Sequence, residues 1–385
     1  SNLATQVFQD KSGFIWIATR NGLNTYDGYH ITVIKKDMSN FSGLNSNYIN
    51  SIAQDEKGHI LLGTNNSLLE FTGSEFLKIP MLDSKGKELA TYVKQIYPLR
   101  NKDVAVATSG YGIMLKKQDE QKCHAMKGEV KKLKYIHKLL EDKRGRLWII
   151  TEDGKLYRKE TNGRITSHFV GTEGVDAQDI QQDALGNIYL ASKNQGVHLL
   201  RAGSNVFTRI SNIGNLPIDN IYISRNNKLY IGCDGLGIYV YDPQTGFLQD
   251  NPLFSRLVNL AKSKITSIIE DNQGNIWVSM LQKGVFMQSN IQNDFNYMGF
   301  RLGNRNVIGE NCVTSLSINQ GNQVWVGTDK DGLYLFNMAT RSVEGHFLNQ
   351  STVLTLCKDQ QGRTWVGTYT DGLGYMDAAG SFHPV

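Results

Sequence analysis

The sequence predicts an all-β protein, a β-propeller of four-stranded blades, on three observations. First, all five tryptophans of the 385-residue chain occupy the same place in one repeated phrase, Asp-x-x-Gly-x-aliphatic-Trp-aliphatic-Gly/Ala-Thr, which Gly-Leu or Gly-Ile soon follows. Second, the copies lie 40–48 residues apart, which is the period of propellers and solenoids. Third, each copy contains short β-type runs and turn residues, and none shows the apolar stripe of an amphipathic helix.

Nine copies of the phrase cover the chain. Within the copy at 263–300, residues 264–270 alternate, 275–279 are β-rich, 284–288 follow a glycine and 295–300 close the unit. Four short strands at this period form one propeller blade, so we expect nine blades. The tryptophan position is occupied in turn by Trp16, Leu61, Ala105, Trp148, Tyr189, Tyr230, Trp277, Trp325 and Trp365.

The residues that recur in every well-preserved copy of the phrase are predicted to have a structural role. The Asp side chain is predicted to accept hydrogen bonds from backbone N–H groups ahead of it, while Gly takes the left-handed corner of the turn. The large ring at the tryptophan position is predicted to fill the wedge between two blades rather than to stack on a ligand. An acid that recurs in each well-preserved copy is typical of a turn and not of a catalytic pair; these acids are Asp10, Asp55, Asp142, Asp183, Asp271 and Asp359.

Composition excludes several classes of protein. With 40% hydrophobic and 20% charged residues, the chain has the balance of a globular protein. It contains no apolar run long enough to cross a membrane as a helix and no signal-peptide leader. Because the chain starts at the edge of a first blade and stops inside a last one, we expect it to be excised from a longer precursor.

Cysteine and histidine usage predicts neither a metal site nor a cofactor. The four cysteines, Cys123, Cys233, Cys312 and Cys357, have no CxxC spacing, and the eight histidines are dispersed. The cysteines are interpreted as small buried thiols or loop residues.

The net charge of +5 is concentrated in one lysine-rich segment, whose lysines are Lys116, Lys117, Lys122, Lys127, Lys131, Lys132, Lys134 and Lys138. Such a run favours a solvated outer strand, because lysines keep edge strands from pairing with other chains. A patch that attracts acidic polysaccharide is the alternative. Nucleic acid is disfavoured, because no interleaved aromatics or nucleic-acid-binding motif accompany the lysines.

Catalysis finds little support in the motifs. The spacing Asp-x-x-Gly differs from that of a sialidase-type Asp box, and no adjacent cysteine pair of a quinone-dependent propeller is present. The sequence also contains no GxSxG, HExxH or P-loop. We therefore expect no catalytic residues in this region.

Chain direction indicates where a ligand would bind. If the run before each Asp is the innermost strand, all loops between Thr and the following Gly lie on one face, which we call the upper face. These loops are the most variable part of the phrase, and their amide, charged and Tyr side chains suit a hydroxyl-rich ligand. The candidate ligand-binding residues are Arg20, Asn21, Tyr111, Asp153, Lys193, Asn194, Lys283, Lys330 and Tyr369.

Two stretches carry a family resemblance: Phe8–Tyr29 and Trp325–Tyr334 resemble two-component regulator propeller repeats. The resemblance implies the periplasmic sensor region of a hybrid two-component system of gut bacteria, anchored in the inner membrane. It implies an oligosaccharide ligand, which the lysine excess tilts toward an acidic one, and a homodimer. Kinase activity and the membrane segment would lie outside this chain.

The resemblance also implies domain boundaries. The family pattern is two consecutive seven-bladed propellers followed by a β-sandwich, so residues 1–300 are expected to form a seven-bladed propeller and residues 301–385 the first two blades of a second. A single ring of eight or nine blades is the alternative. The function alternatives are a polysaccharide lyase or glycosidase and a non-catalytic protein-interaction scaffold.

Overall fold

The computed structural model describes residues 3–36, 43–250, 263–290, 308, 312–377 and 380–385. The described residues form 37 strands and two short 3₁₀ turns, Glu129–Lys132 and Ser211–Ile213, and contain no α-helix. The all-β prediction is therefore confirmed. The chain divides into two compact units, Ser1–Ser255 with Leu260–Gln292, and Arg256–Asn259 with Asn293–Val385.

The first unit contains seven sheets arranged as blades, all antiparallel except for one parallel pair in blade three. Blade one contains β1 (Ala4–Gln9), β2 (Ile15–Thr19), β3 (Gly22–Tyr26) and β4 (Ile31–Ile34), and blade two contains β5 (Ile49–Gln54), β6 (Ile60–Thr64), β7 (Leu68–Phe71) and β8 (Phe76–Ile79). Blade three contains β9 (Met81–Leu82), β10 (Glu88–Leu89), β11 (Val93–Pro98), β12 (Val104–Thr108), β13 (Gly112–Lys116) and β14 (Cys123–Ala125). Blade four contains β15 (Ile136–Glu141), β16 (Leu147–Thr151), β17 (Leu156–Lys159) and β18 (Ile165–Thr166).

Blade five contains β19 (Ala177–Gln182), β20 (Ile188–Ser192), β21 (Val197–Leu200) and β22 (Phe207–Arg209). Blade six contains β23 (Ile218–Ile223), β24 (Leu229–Cys233), β25 (Gly237–Tyr241) and β26 (Leu248–Asp250). Blade seven contains β27 (Ile265–Glu270), β28 (Ile276–Met280) and β29 (Gly284–Gln288). The closing strand that the sequence predicts at 295–300 lies outside the described residues.

The seven sheets close into a ring. The innermost strands β1, β5, β11, β15, β19, β23 and β27 pack side by side in this order, and β27 of the seventh blade packs beside β1 of the first. Thr266 Oγ1 donates to the Ala4 carbonyl at 2.9 Å and the Val7 amide donates to Ser267 Oγ at 3.3 Å, so the closure is hydrogen-bonded. The boundary at residue 300 stays a prediction, because residues 291–307 are not described.

The repeated Asp organises each turn as expected and does more. In blade one, Asp10 Oδ1 accepts the backbone amides of Ser12 and Phe14, and Gly13 has φ 93°. The second oxygen, Oδ2, accepts the indole N–H of Trp16 at 2.8 Å. The same Asp–Trp bond recurs in blades four and seven and in the second unit, which explains why the two residues occur together six positions apart.

The tryptophan ring packs against the following blade, which confirms its role as a wedge. Trp16 lies in a buried cluster with residues of blade two, including Ile52 and Leu62, and Trp277 lies with Ala4 and Val7 of blade one. The substituted copies serve the same purpose, because the side chains at this position in blades two and three are fully buried as well.

Blade three departs from the prediction in two ways. It has six strands, because β9 and β10 form a hairpin whose β9 pairs in parallel with the outer strand β14. It also retains the turn although its sequence has no Asp-x-x-Gly: the Leu99 amide donates to the Asp103 carbonyl, and Lys102 adopts φ 70° where most blades carry glycine. The backbone geometry is thus kept without the Asp-x-x-Gly residues.

The second unit contains two four-stranded sheets. Trp325 packs with Val353, Val366 and Met376, so the wedge is used here too. The sheets consist of β30 (Val313–Ile318), β31 (Gln323–Thr328), β32 (Leu333–Asn337) and β33 (Ser342–Phe347); and β34 (Val353–Lys358), β35 (Thr364–Thr368), β36 (Leu373–Met376) and β37 (Phe382–Pro384).

Candidate functional site

A polar channel runs along the inner strands of the first unit, with a cavity of about 440 Å³ lined by residues from all seven blades. Each inner strand has a register shift between its first and third residues, which brings the second and third residues to the channel in six blades and the third residue, Asp179, in blade five. The second and third residues are Thr5 and Gln6, Asn50 and Ser51, Lys94 and Gln95, His137 and Lys138, Gln178 and Asp179, Asp219 and Asn220, and Thr266 and Ser267.

The third residues form a hydrogen-bonded girdle that joins neighbouring blades. Ser51 Oγ accepts the Ile96 amide at 3.0 Å, and Asp179 Oδ2 accepts the Ile221 amide at 3.0 Å. Gln6, Gln95 and Ser267 accept backbone amides of the neighbouring blade in the same way. Asn220 Nδ2 instead donates to the Ile265 carbonyl, and the Lys138–Asp179 ion pair at 3.2 Å completes the ring. These side chains are occupied by the fold. Among the second residues, Thr5 and Thr266 also hydrogen-bond to backbone carbonyls of neighbouring blades, whereas Lys94 and His137 line both the channel and its upper opening.

The channel opens on the upper face into a cavity of about 380 Å³ beside blades three, four and five, which we call the channel mouth. Inner-strand residues and residues of the Thr-to-Gly loops meet here because both lie at the upper ends of their strands. The lining residues are Lys94, His137, Thr151, Glu152, Asp153, Asp176, Gln178 and Lys193.

Charges of both signs surround the mouth. Lys94 Nζ lies 3.3 Å from a Glu152 carboxylate oxygen. The ammonium of Lys155, at 2.7 Å, and the Thr151 hydroxyl both hydrogen-bond to Asp153 and hold the pKa of its carboxyl below its usual value. Among the described residues no carboxylate pairs with Lys193, so its ammonium is available to an anionic or hydroxyl-bearing group.

His137 projects into both the channel and its mouth. Burial, reinforced by the positive charge of Lys138, lowers the pKa of its imidazole to about 4. At neutral pH the ring is therefore uncharged and offers one donor and one acceptor, the pair that a sugar hydroxyl group needs. No hydrogen bond from this ring is found within the described part of the chain.

An aromatic and cationic row leads from the mouth across the upper ends of blades one to three. The Arg20 guanidinium lies 5.4 Å from the ring centroid of Tyr48, whose ring meets that of Tyr92 edge-on at 6.1 Å. Lys94 Nζ lies 4.9 Å from the Tyr92 centroid. Burial and then the hydrogen bond with Tyr48 raise the pKa of Tyr92, so its hydroxyl stays protonated and donates to Asn50 Oδ1 at 2.7 Å.

A second cavity of about 540 Å³ shares Asp153 and Asp176 with the mouth. It lies between the outer parts of blades four and five and is bordered by Tyr157, His168 and Thr172. The two cavities therefore adjoin at Asp153 and Asp176.

The structure brings some of the nine predicted ligand residues together and separates others. Asp153 and Lys193 both line the mouth, and Arg20 belongs to the aromatic row. Asn194 is committed to the fold, because Nδ2 donates to the Gly174 carbonyl and Oδ1 accepts the Asp176 amide. Lys283 Nζ donates to Ser263 Oγ at 2.8 Å.

The remaining predicted residues lie apart from the mouth. Asn21 and Tyr111 are exposed on the loops of blades one and three. Lys330 and Tyr369 belong to the second unit, where the Lys330 amide donates to Thr352 Oγ1 and the Tyr369 side chain is exposed. Ligand contact by any of the nine residues stays a prediction.

Sequence reasoning missed the residues at the start of the inner strands: Tyr48, Tyr92, Lys94, His137 and Gln178. A signal was available, since each lies one residue before the strand or second within it, where a polar residue interrupts an apolar run.

The lysine-rich segment is divided by the fold. Lys116 is buried, and Lys138 pairs with Asp179 in the channel. The prediction of a solvated outer strand is therefore wrong for these two lysines. The other six are exposed on and after the outer strands of blade three, as expected. Cys123 and Cys233 are buried, which raises the pKa of both thiols to about 12, whereas Cys312 and Cys357 are exposed.

The fold and its polar channel define a seven-bladed propeller followed by further blades of the same type. Three segments of the chain, 43–66, 259–282 and 348–370, match the family of two component regulator propellers. A comparison with curated protein sequences finds no match.

Solved structures agree with this fold. The extracellular domain of the hybrid two-component system BT3049 from B. thetaiotaomicron is similar at 23% identity over 100% of this chain and 53% of that one, with a TM-score of 0.64. The corresponding domain of BT4673 from B. thetaiotaomicron is similar at 18% identity over 99% of this chain and 51% of that one, with a TM-score of 0.61. The chain thus spans about half the length of these domains.

A propeller enzyme is similar as well. Virginiamycin B lyase from Staphylococcus aureus shares 14% identity over 74% of this chain and 94% of the lyase, with a TM-score of 0.58. These likenesses establish the fold alone. Within the described residues, no helix is both long and apolar enough to span a membrane.

Proposed function

We propose that this chain is a periplasmic ligand-sensing region of a hybrid two-component sensor histidine kinase in the inner membrane. It binds an oligosaccharide without transforming it and signals across the membrane to control glycan-utilisation genes. The two-component regulator propeller repeats support this proposal, as does the similarity to extracellular domains of hybrid two-component systems. The kinase activity would reside outside this chain.

The observation that carries the ligand class is the chemistry of the channel mouth. A neutral imidazole at His137, the unpaired ammonium of Lys193 and the carboxylate of Asp153 line one cavity. Donors and acceptors around a shallow polar cavity suit the hydroxyl groups of a sugar, and the neighbouring Tyr48–Tyr92 pair offers aromatic surface for its C–H groups.

The size and charge of the mouth favour a short oligosaccharide with an acidic group. The cavity of about 380 Å³ holds one or two sugar rings, and the adjoining cavity of about 540 Å³ extends the path. Lys193 would pair with a carboxylate or sulfate group, and Lys94 would exchange Glu152 for the ligand at modest cost, since both of these side chains are partly exposed.

Signalling requires that the ligand bind one arrangement of a homodimer more tightly than another, because an equilibrium shifts only by the difference in affinity. We propose that ligand contacts spread over blades three to five differ between the two arrangements. A hundredfold difference in affinity corresponds to roughly 2.7 kcal/mol of coupling.

The test is calorimetric titration with neutral and acidic oligosaccharides while product formation is followed by chromatography. We expect saturable binding with no turnover, and weaker binding after Lys193→Met and Asp153→Asn. Lys117→Met is the matched control, because this exposed lysine directly follows β13 of blade three, at the end opposite the upper face. Turnover of a bound oligosaccharide, or equal affinity in all three variants, would contradict the proposal.

A further inference from the structure

Blade two contains a cluster of three potential metal ligands where blades one, four and seven have the Asp–Trp pair. Asp55 is the turn acid, His59 directly precedes β6, and Glu70 lies in β7 opposite Leu61. Nδ1 of His59 lies 3.1 Å from Glu70 Oε1 and 3.4 Å from Asp55 Oδ2. This cluster corrects the sequence-based expectation that the dispersed histidines form no ligand group.

The turn acid of blade two has lost the donors that its counterparts use. Asp142 Oδ2 accepts hydrogen bonds from the indole of Trp148 and the guanidinium of Arg146, and Asp271 Oδ2 accepts from Trp277 and Asn275. In blade two, Leu61 replaces the tryptophan and offers no donor. Within the described residues, the imidazole of His59 is the one side chain in contact with Asp55 Oδ2.

Glu70 adds a second buried carboxylate to the same place. The residue is 4% exposed, and its Oε2 atom is buried without a hydrogen-bond partner. No lysine or arginine pairs with it among the described residues. Burial of an unpaired carboxylate is costly, and a single imidazole cannot neutralise both Asp55 and Glu70.

We propose that Asp55, His59 and Glu70 bind a divalent metal ion of the zinc class. One imidazole nitrogen with carboxylate oxygens is a donor set for zinc-like ions, whereas Ca²⁺ and Mg²⁺ favour oxygen ligands alone. Ligand bonds of about 2.0–2.2 Å at tetrahedral angles place donor atoms about 3.3–3.6 Å apart. The observed separations of 3.1 and 3.4 Å from His59 Nδ1 are close to these values, and all three ligand atoms lie within 4.8 Å of one another.

The remaining coordination position faces solvent. The His59 side chain is 39% exposed, whereas those of Asp55 and Glu70 are 6% and 5% exposed, so water can complete the coordination from the side of His59. The ion neutralises the two carboxylates and joins the turn acid to β7. It thus replaces the Asp–Trp bond on the face that packs against blade three.

The experiment uses the full chain without an affinity tag, after treatment with a chelator. Zn²⁺ is titrated by calorimetry, and thermal unfolding is compared with and without Zn²⁺. We expect one zinc ion bound at this site and a rise in Tm of several degrees, because a metal that binds only the folded state stabilises it. Bound Co²⁺ should show a visible spectrum of nitrogen and oxygen ligands without the strong near-ultraviolet band of a thiolate.

Two variants locate the site. His59→Asn installs the residue that blades five and seven carry at this position as Asn187 and Asn275, where its amide bonds to the turn acid, so folding is retained. Glu70→Gln keeps the packing and removes the charge. We expect each variant to weaken zinc binding by roughly tenfold or more and to abolish the Tm rise.

His30→Asn is the matched control, because His30 lies 3.7 Å from Asp27 in an exposed pair without a third ligand. It should bind zinc as the parent chain does. Absence of a zinc-dependent rise in Tm would overturn the proposal and leave the cluster as an imidazole held between two carboxylates. A rise that persists in His59→Asn or Glu70→Gln would overturn it as well.

Discussion

Replacement of Trp148 by alanine tests the wedge that joins neighbouring blades. The indole is fully buried between blades four and five, 5.1 Å from the Phe169 ring and 5.9 Å from the Phe207 ring. Its N–H donates to Asp142 Oδ2 at 2.9 Å. Although burial raises the pKa of Asp142, the hydrogen bonds from Trp148 and Arg146 outweigh it and hold the pKa below its usual value.

The magnitude follows from the buried area. A buried indole removes about 150–250 Å² from water, which corresponds to about 4–6 kcal/mol at 25 cal/mol per Å². Because such areas are upper bounds and the cavity relaxes in part, we expect Trp148→Ala to lower the free energy of unfolding by about 4 kcal/mol. Trp148→Phe keeps most of the packing, and Arg146 still contacts Asp142 Oδ2 at 2.7 Å, so we expect a loss of about 1–2 kcal/mol.

Urea unfolding followed by circular dichroism, with calorimetry to separate the transitions of the two units, provides the measurement. Trp365→Ala is a useful comparison, because Trp365 makes the same bond to Asp359 at 2.9 Å but is only partly buried, and should cost less. A loss below about 1 kcal/mol in Trp148→Ala, or equal losses in the alanine and phenylalanine variants, would refute the wedge argument.

Three further predictions concern the channel and a turn. Asp179→Asn should destabilise the first unit by about 2–3 kcal/mol, because it leaves Lys138 without its partner in the girdle; an unchanged urea midpoint would contradict this role. The pKa of His137 is about 4 in the fold against a usual 6.5, so the unfolded chain binds the proton first as pH falls. Stability should therefore decrease by about 3 kcal/mol between about pH 6.5 and 4, and His137→Asn should remove this component of the pH profile. Lys102→Gly should raise the Tm slightly, by relief of about 1 kcal/mol of strain at φ 70°; a lower Tm would show that the turn needs the side chain.

The turns and wedges could be predicted because they depend on neighbours in sequence. Asp10 and Gly13 set one turn within four residues, and the ring of Trp16 must be buried wherever its strand lies. The bond between Asp10 Oδ2 and the indole was not predicted. Its geometry depends on the side-chain direction of a strand that begins only after the turn.

The ligand site was predicted less well because it depends on the ring. Asp153 and Lys193 lie 40 residues apart in sequence and line one cavity only because blades four and five are adjacent. His137 and Lys94 gave no motif, since a single polar residue in a strand has no meaning until its bulge turns it toward the channel. Asn194 has the right chemistry for a ligand but is consumed by hydrogen bonds within its own loop.

The sequence by itself determined the class of fold and the packing role of the tryptophans, because both are encoded within one repeat of 40–48 residues. It also determined the number of repeats, because the phrase recurs at regular intervals along the chain. The tertiary structure alone decided that blade seven hydrogen-bonds to blade one, through Thr266 and Ala4. It also decided which polar side chains are used up in the girdle and which face the channel mouth. Both outcomes depend on contacts between residues distant in sequence, which the pattern of a single repeat does not contain.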